Sequence, residues 1–206
     1  MLNYTRLILF IAAFLLTQTI IYFGVEIFEG EPHNVERPLD RKIPVIHQFS
    51  YIYVTWFALI AVTPLLIAIH DLELFSLYMA SMAACIILSA AIYLIYPTSF
   101  TRPPSKSAKL KIIYFFSFKQ VNCAPSMHCS MSYIVILAAC LCPGLALPIR
   151  ILLIADGVLI PVSTLFTKQH VIIDVVTALP TAAVSWLIGF LLYQGHLLDG
   201  FMNFFR

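Results

Sequence analysis

Charge is what this chain has least of. Of its 206 residues only 11% are Asp, Glu, Lys or Arg, while 61% are hydrophobic. A soluble globular domain is roughly one quarter charged and half apolar. The shortage excludes a soluble domain, and a mean hydropathy of +0.94 agrees. There is no lysine-rich run or basic helix, which argues against a nucleic-acid partner. There is no C-x-x-C pair among Cys85, Cys123, Cys129, Cys140 and Cys142, so zinc and redox roles lack their usual ligands. These cysteines read as small apolar fillers on helices. A disulfide between Cys123 and Cys129, which bracket Pro125–His128, stays open. No small-x-small cleavage site precedes Glu26, so the first apolar stretch reads as a retained helix, not a signal peptide. Internal repeats and low-complexity segments are absent too.

What is present is a set of long apolar runs. A helical span of a bilayer takes about 20 mostly apolar residues. Six stretches qualify: Thr5–Gly24, Ser50–Ile69, Glu73–Tyr96, Ser126–Cys142, Pro148–Phe166 and His170–Tyr193. The expected fold is all-α, a polytopic bundle of six transmembrane helices in a single domain over 1–206. Two polar stretches interrupt the runs. Glu26–Phe49 carries Pro32, Pro38 and Pro44 and reads as an extramembrane loop. Pro97–Asn122 carries Arg102, Lys106, Lys109, Lys111 and Lys119, with an aromatic segment, Ile112–Phe118, suited to a short interfacial helix. Pro64, Pro161 and Pro180 are expected to kink their helices. Tyr51, Tyr53, Trp56 and Tyr193 suit membrane interfaces. His33, His47, His70 and His196 sit in loops or at ends and are given no chemistry.

Six spans put both termini on one side. The two long loops and the Thr167–Gln169 turn share the other side. Arg102, the Pro125-Ser126-Met127-His128 cluster and the His170/Asp174 pair therefore converge on one membrane face, within a motif-bearing region over 97–175. Titratable groups near lipid are costly and persist with a partner or a task. The i, i+4 spacing of His170 and Asp174 puts them on one helix face. A carboxylate on one imidazole nitrogen sets the tautomer and makes the other nitrogen more basic, which prepares a base or nucleophile. Pro125, favoured in a first helical turn, places Ser126 and unpaired backbone N–H groups at a helix N-terminus. Such an end binds phosphate. His128 lies within a turn of that anion. Arg102 offers the planar fork that matches phosphate.

Taken together, Arg102-Pro103, Pro125-Ser126-x-His128 and Ser163-x6-His170-x3-Asp174 resemble the three-part signature of the type 2 phosphatidic acid phosphatase superfamily. That group includes bacterial lipid phosphatases, sphingolipid phosphotransferases and soluble vanadium haloperoxidases. The resemblance implies that His170 attacks phosphorus to form a phosphohistidine, that Asp174 orients it, and that His128 protonates the leaving oxygen. It further implies that Arg102 and Ser126 hold the phosphoryl oxygens, beside Ser163 of the third motif. No metal and no cofactor are implied. The implied substrate is a phospholipid, isoprenoid or sphingolipid phosphate in the membrane.

Two positions depart from the pattern. Many members carry a lysine seven residues before the motif arginine, where this chain has Ile95, and the third motif usually reads Ser-Arg, where this chain has Ser163-Thr164. Lys168 could supply one replacement charge, and Lys106, Lys109 or Lys111 another. Ser-Thr at this point resembles the inositol phosphorylceramide synthase branch, while the short chain and Tyr96-Pro97-Thr98 resemble compact bacterial phosphatases. Hydrolysis by a lipid phosphatase leads. Headgroup transfer of the inositol phosphorylceramide or sphingomyelin synthase kind is the alternative, and a non-catalytic lipid-binding or transport protein on the same fold is the third. Asp156, mid-span, is either functional or paired with a neighbour such as Ser132 or Ser185. The chain's size suits a bacterial inner membrane, and the resemblance implies an extracytoplasmic active face, whereas the excess of Lys and Arg on that face favours the cytoplasm.

Overall fold

The computed structural model describes residues 2–28, 30–104, 107–117 and 119–206, with the backbone alone for 116. Lys106 and the Phe118 end of the aromatic segment lie outside the described residues. Helices carry the chain: α1 (Tyr4–Phe28), α2 (Pro38–Lys42), α3 (Phe49–His70), α4 (Leu72–Ile95), α5 (Ala108–Phe116), α6 (Met127–Leu141), α7 (Leu147–Phe166), α8 (Ile172–Gln194) and α9 (Asp199–Phe205). Two-residue strands, β1 (His33–Asn34) and β2 (Thr98–Ser99), pair in parallel. Among the described residues, α1, α3, α4, α7 and α8 are each long and apolar enough to cross a membrane. This is an all-helical, multi-pass membrane protein. The sixth apolar helix, α6, has 15 residues, and at about 1.5 Å per residue it reaches only about 22 Å.

Helix ends follow local chemistry. The Asp71 carboxylate accepts the Leu74 N–H at 2.9 Å and starts α4. The Ser126 hydroxyl accepts the Cys129 N–H at 3.3 Å and starts α6. Pro125 therefore precedes the cap instead of filling the first turn, and its peptide bond to Ala124 is cis.

The central helix is α4, whose Phe75, Tyr78, Cys85 and Tyr93 are buried against α1, α3, α6 and α8. Small residues let α8 lie close to it. A Cβ on Gly189 would stand 2.2 Å from Ser81 Oγ and 2.8 Å from the Leu77 carbonyl oxygen. Phe10, Phe75, Phe201 and Phe205 cluster at the end holding the termini. There Asn3 N–H donates to the Phe205 carbonyl at 2.8 Å. Asp156 of α7 accepts from Thr55 of α3 at 2.7 Å. Its partner is thus neither Ser132 nor Ser185, whose hydroxyls bond carbonyls of their own helices.

At the opposite end the loops interlock. The strand pair, extended by Val35 N–H to the Ser99 carbonyl at 2.9 Å, ties the first long loop to the second. Asp40 of α2 is buried and clasps the α7–α8 turn. One of its carboxylate oxygens accepts Ile172 N–H at 2.8 Å, the other Arg37 N–H at 2.8 Å, and its carbonyl accepts Lys168 Nζ at 2.7 Å. Tyr93 holds the Pro125 carbonyl at 2.6 Å, and Thr98 Oγ1 accepts Ala124 N–H at 2.8 Å.

Candidate active site

His170 precedes α8 instead of riding on it. The helix starts at Ile172, so the contact with Asp174 is not the i, i+4 contact of one helix face. Asp174 sits in the first turn and reaches back. Its Oδ2 accepts Val171 N–H at 2.9 Å and faces His170 Nδ1 at 3.1 Å. The carboxylate is fully buried, and its Oδ1 has no partner among the described residues. His170 N–H bonds the Thr164 carbonyl at 3.2 Å, which fixes the backbone from the other side. With Nδ1 held, the Nε2 edge of the ring points away from Asp174.

His128 is the second residue of α6. Its ring lies 5.7 Å from the His170 ring, centroid to centroid. Its Nε2 is 2.9 Å from the Tyr53 hydroxyl, and the Trp56 ring packs against it at 4.3 Å between centroids, tilted by 45°. Tyr53 and Trp56 were expected at the membrane interface. Both are buried instead. The signal was available: Tyr53, Trp56, Ile60, Thr63 and Ile67 recur at helical spacing and form one buried stripe of α3.

Ser126 joins the starts of α6 and α8, since its N–H donates to the Asp174 carbonyl at 3.1 Å. Its hydroxyl oxygen is occupied by the cap, so the α6 donors left without intrahelical partners are the first-turn N–H groups of Met127 and His128. Ser163 lies inside α7 with its hydroxyl on the Ile160 carbonyl at 2.7 Å. Thr164, where the motif arginine was expected, bonds the Pro161 carbonyl at 2.7 Å. Neither hydroxyl is directed by these bonds toward the histidines.

Arg102 reaches the α7–α8 turn and is held there by neutral acceptors. Nε donates to the Lys168 carbonyl at 2.9 Å, Nη1 to the Ser117 carbonyl at 2.9 Å, and Nη2 to Gln169 Oε1 at 3.3 Å. The guanidinium also stacks on the Tyr114 ring at 4.4 Å. Burial lowers the Arg102 pKa from its ordinary value, against the raising effect of Tyr114 and Tyr53. Lys168 is turned away from the histidines. Its backbone is left-handed, with φ 54°, and its Nζ is on Asp40. Burial lowers its pKa as well, opposed by Asp40 and Glu36. Lys109 is engaged with Tyr51 by a hydrogen bond and by the ring face. Lys111 is exposed. The replacement cations expected from sequence are therefore absent from the site among the described residues.

A polar cavity of about 30 Å³ lies between Arg102, His128 and His170. Tyr53 and His128 also border an apolar groove of about 440 Å³ formed with α1, α3 and α5. Sequence reasoning missed Tyr53, Trp56, Asp40, Asn122 and Gln169. Cys123 and Cys129 are both buried thiols and are not joined. Comparison with family models, with curated proteins and with solved structures finds no match to this chain.

Proposed function

We propose that this multi-pass membrane protein is a lipid phosphate phosphatase that works through a phosphohistidine on His170. One observation carries the reading: a carboxylate-bound histidine faces a second histidine at 5.7 Å across a small polar cavity that adjoins a large apolar groove. The groove suits a lipid chain, and the cavity suits the phosphoryl group. His170 Nε2 forms the N–P bond as the P–O ester bond breaks. Protonated His128 gives its proton to the leaving alkoxide. Neutral His128 then takes a proton from water, the oxygen attacks phosphorus, and the N–P bond breaks. Asp174 holds Nδ1–H throughout, and Tyr53 fixes the ring plane of His128. Arg102 supplies positive charge where charge develops.

In this reading α6 is a sixth crossing. Its reach of about 22 Å falls short of a hydrocarbon core of about 30 Å, and the loops before and after it complete the crossing. The proposed setting is a bacterial inner membrane with the active face extracytoplasmic. A Lys42→Cys variant, in a background with exposed Cys140 replaced by serine, should react with a membrane-impermeant maleimide added outside intact cells. Labelling only after lysis reverses the orientation.

Transfer of the headgroup to a lipid or inositol hydroxyl is a second reading. What favours it is the shortage of cations: Lys168 is turned onto Asp40, and Thr164 replaces an arginine. Purified protein should release phosphate from a lipid phosphate without added metal, and His170→Ala should abolish both release and an acid-labile phosphoenzyme. Full activity in that variant removes the proposal. Transfer to an added acceptor alcohol with little hydrolysis selects the second reading. Absence of any phosphoenzyme leaves a lipid-binding protein on this fold.

A further inference from the structure

Two buried amides at the cavity have unused hydrogen-bonding capacity. Asn122 is 2% exposed, and neither its Nδ2 nor its Oδ1 has a partner among the described residues. Gln169 is 5% exposed, and its Nε2 is likewise without a partner. Buried polar groups are nearly always hydrogen-bonded, and leaving them bare is costly. Both residues line the same cavity as His128, His170 and Arg102.

Their orientation follows from their surroundings. Gln169 Oε1 accepts from Ser117 Oγ at 2.8 Å and from Arg102 Nη2 at 3.3 Å. Arg102 can only donate, so the amide oxygen must face its Nη2. The NH2 group then faces the other way. Asn122 has φ 56°, a left-handed conformation that asparagine tolerates better than most residues. It is held in the segment before Cys123, whose N–H bonds the Thr98 carbonyl at 3.4 Å.

The charge around these amides is low. Among the described residues Arg102 is the one lysine or arginine at the cavity, and Glu26 also lines it. The buried Asp174 carboxylate stands behind His170. A phosphomonoester adds nearly two negative charges near neutral pH, whereas a phosphodiester adds one. A buried charge without a counter-charge is strongly disfavoured.

We propose that Asn122 and Gln169 bind the phosphoryl oxygens through neutral N–H donors in place of cations, and that the site thereby takes a singly charged phosphoryl group, the monoanion of a lipid phosphate or a lipid phosphodiester, over a phosphomonoester dianion. The inference rests on the reading of this cavity as the phosphoryl site. It extends that reading to the charge of the substrate. Amide donors stabilise an oxyanion without adding charge, so they balance one negative oxygen beside Arg102 and leave a second one uncompensated.

Binding of two non-hydrolysable probes tests this without requiring turnover. One is a long-chain alkyl phosphonate at a pH where it is a dianion. The other is its monomethyl ester, a monoanion with the same chain. Both are titrated into the full-length protein in lipid nanodiscs. The ester should bind at least about tenfold more tightly. Gln169→Glu keeps the acceptor for Arg102 and Ser117 while replacing the NH2 donor with oxygen. Asn122→Asp likewise replaces an NH2 donor with oxygen, in a residue that tolerates the left-handed backbone. Each should weaken ester binding by about tenfold or more, and Asn122→Asp, which buries a carboxylate with no cation beside it, should also lower the unliganded melting temperature. Tighter binding of the dianion overturns the selectivity. Ester affinity within twofold of wild type in both variants overturns the amide assignment. A melting temperature that falls while probe affinity holds assigns the amides to structure alone. Failure to trap phosphate on His170, with probe binding as expected, removes the catalytic reading and leaves this one standing.

Discussion

Replacing Asp174 by asparagine isolates the charge behind His170. In the native protein Oδ2 serves both Val171 N–H at 2.9 Å and His170 Nδ1 at 3.1 Å, inside a fully buried site. The amide oxygen of asparagine can keep both contacts, because Val171 N–H is an obligatory donor and fixes which end faces it. The NH2 group then occupies the place of Oδ1, which has no partner among the described residues. Geometry is retained and the negative charge is lost. A hydrogen bond to a charged group is worth about 1.5–3 kcal/mol, against about 1 kcal/mol for a neutral one. In the proposed reaction the lost carboxylate would also stabilise the phosphoimidazolium formed on attack, by up to about 4 kcal/mol at this range. The expected loss in transition-state stabilisation is about 2–4 kcal/mol, a slowing of roughly 30- to 1,000-fold. Rapid-quench measurement of phosphoenzyme formation on a radiolabelled lipid phosphate reads this step directly. Phosphorylation of the variant within threefold of wild type, with the phosphate still on His170, would refute the reasoning.

Three further outcomes are expected. Tyr53→Phe removes the hydroxyl on His128 Nε2, and the loss of one such bond, about 1 kcal/mol, should slow turnover about fivefold. Because the ring remains, the melting temperature should shift little, and a large drop with unchanged turnover would assign Tyr53 to packing. Asp40→Ala strips the acceptor from Ile172 N–H and Arg37 N–H and should cost about 2–4 kcal/mol. Hydrogen exchange should rise first at the α7–α8 turn and the start of α8, and uniform protection there would contradict the clasp. Gly189→Ala drives a methyl into Ser81 Oγ and the Leu77 carbonyl, costing about 1–3 kcal/mol. Adding Ser81→Ala should restore only part of the melting temperature, because the backbone contact at 2.8 Å remains.

How much of the site was legible depended on how far apart its parts lie in sequence. His128, His170, Asp174 and Arg102 stood out because titratable groups beside apolar runs are conspicuous, and parity of spans put them on one face. Three placements went otherwise. His170 was assigned to a helix because four-residue spacing reads as helical, whereas Asp174 reaches back from the first turn across the cap. Lys168 was a candidate phosphate ligand because it stands two residues from His170. Its left-handed backbone turns the side chain onto Asp40, 128 residues away in sequence. Tyr53 was read as an interfacial aromatic because its partner, His128, is 75 residues distant.

The sequence by itself determined the class of protein and the chemical inventory. Apolar runs of span length force helices in lipid, where every backbone polar group needs an internal partner, and one pair of histidines with one carboxylate limits the chemistry on offer. Only the tertiary structure decided which of those groups meet. Loop closure, caps and the packing of α3 against α6 depend on contacts between distant residues, and no local pattern encodes their partners. It turned one expected cation away, left Arg102 among carbonyl and amide oxygens, and set two bare amides beside the histidines.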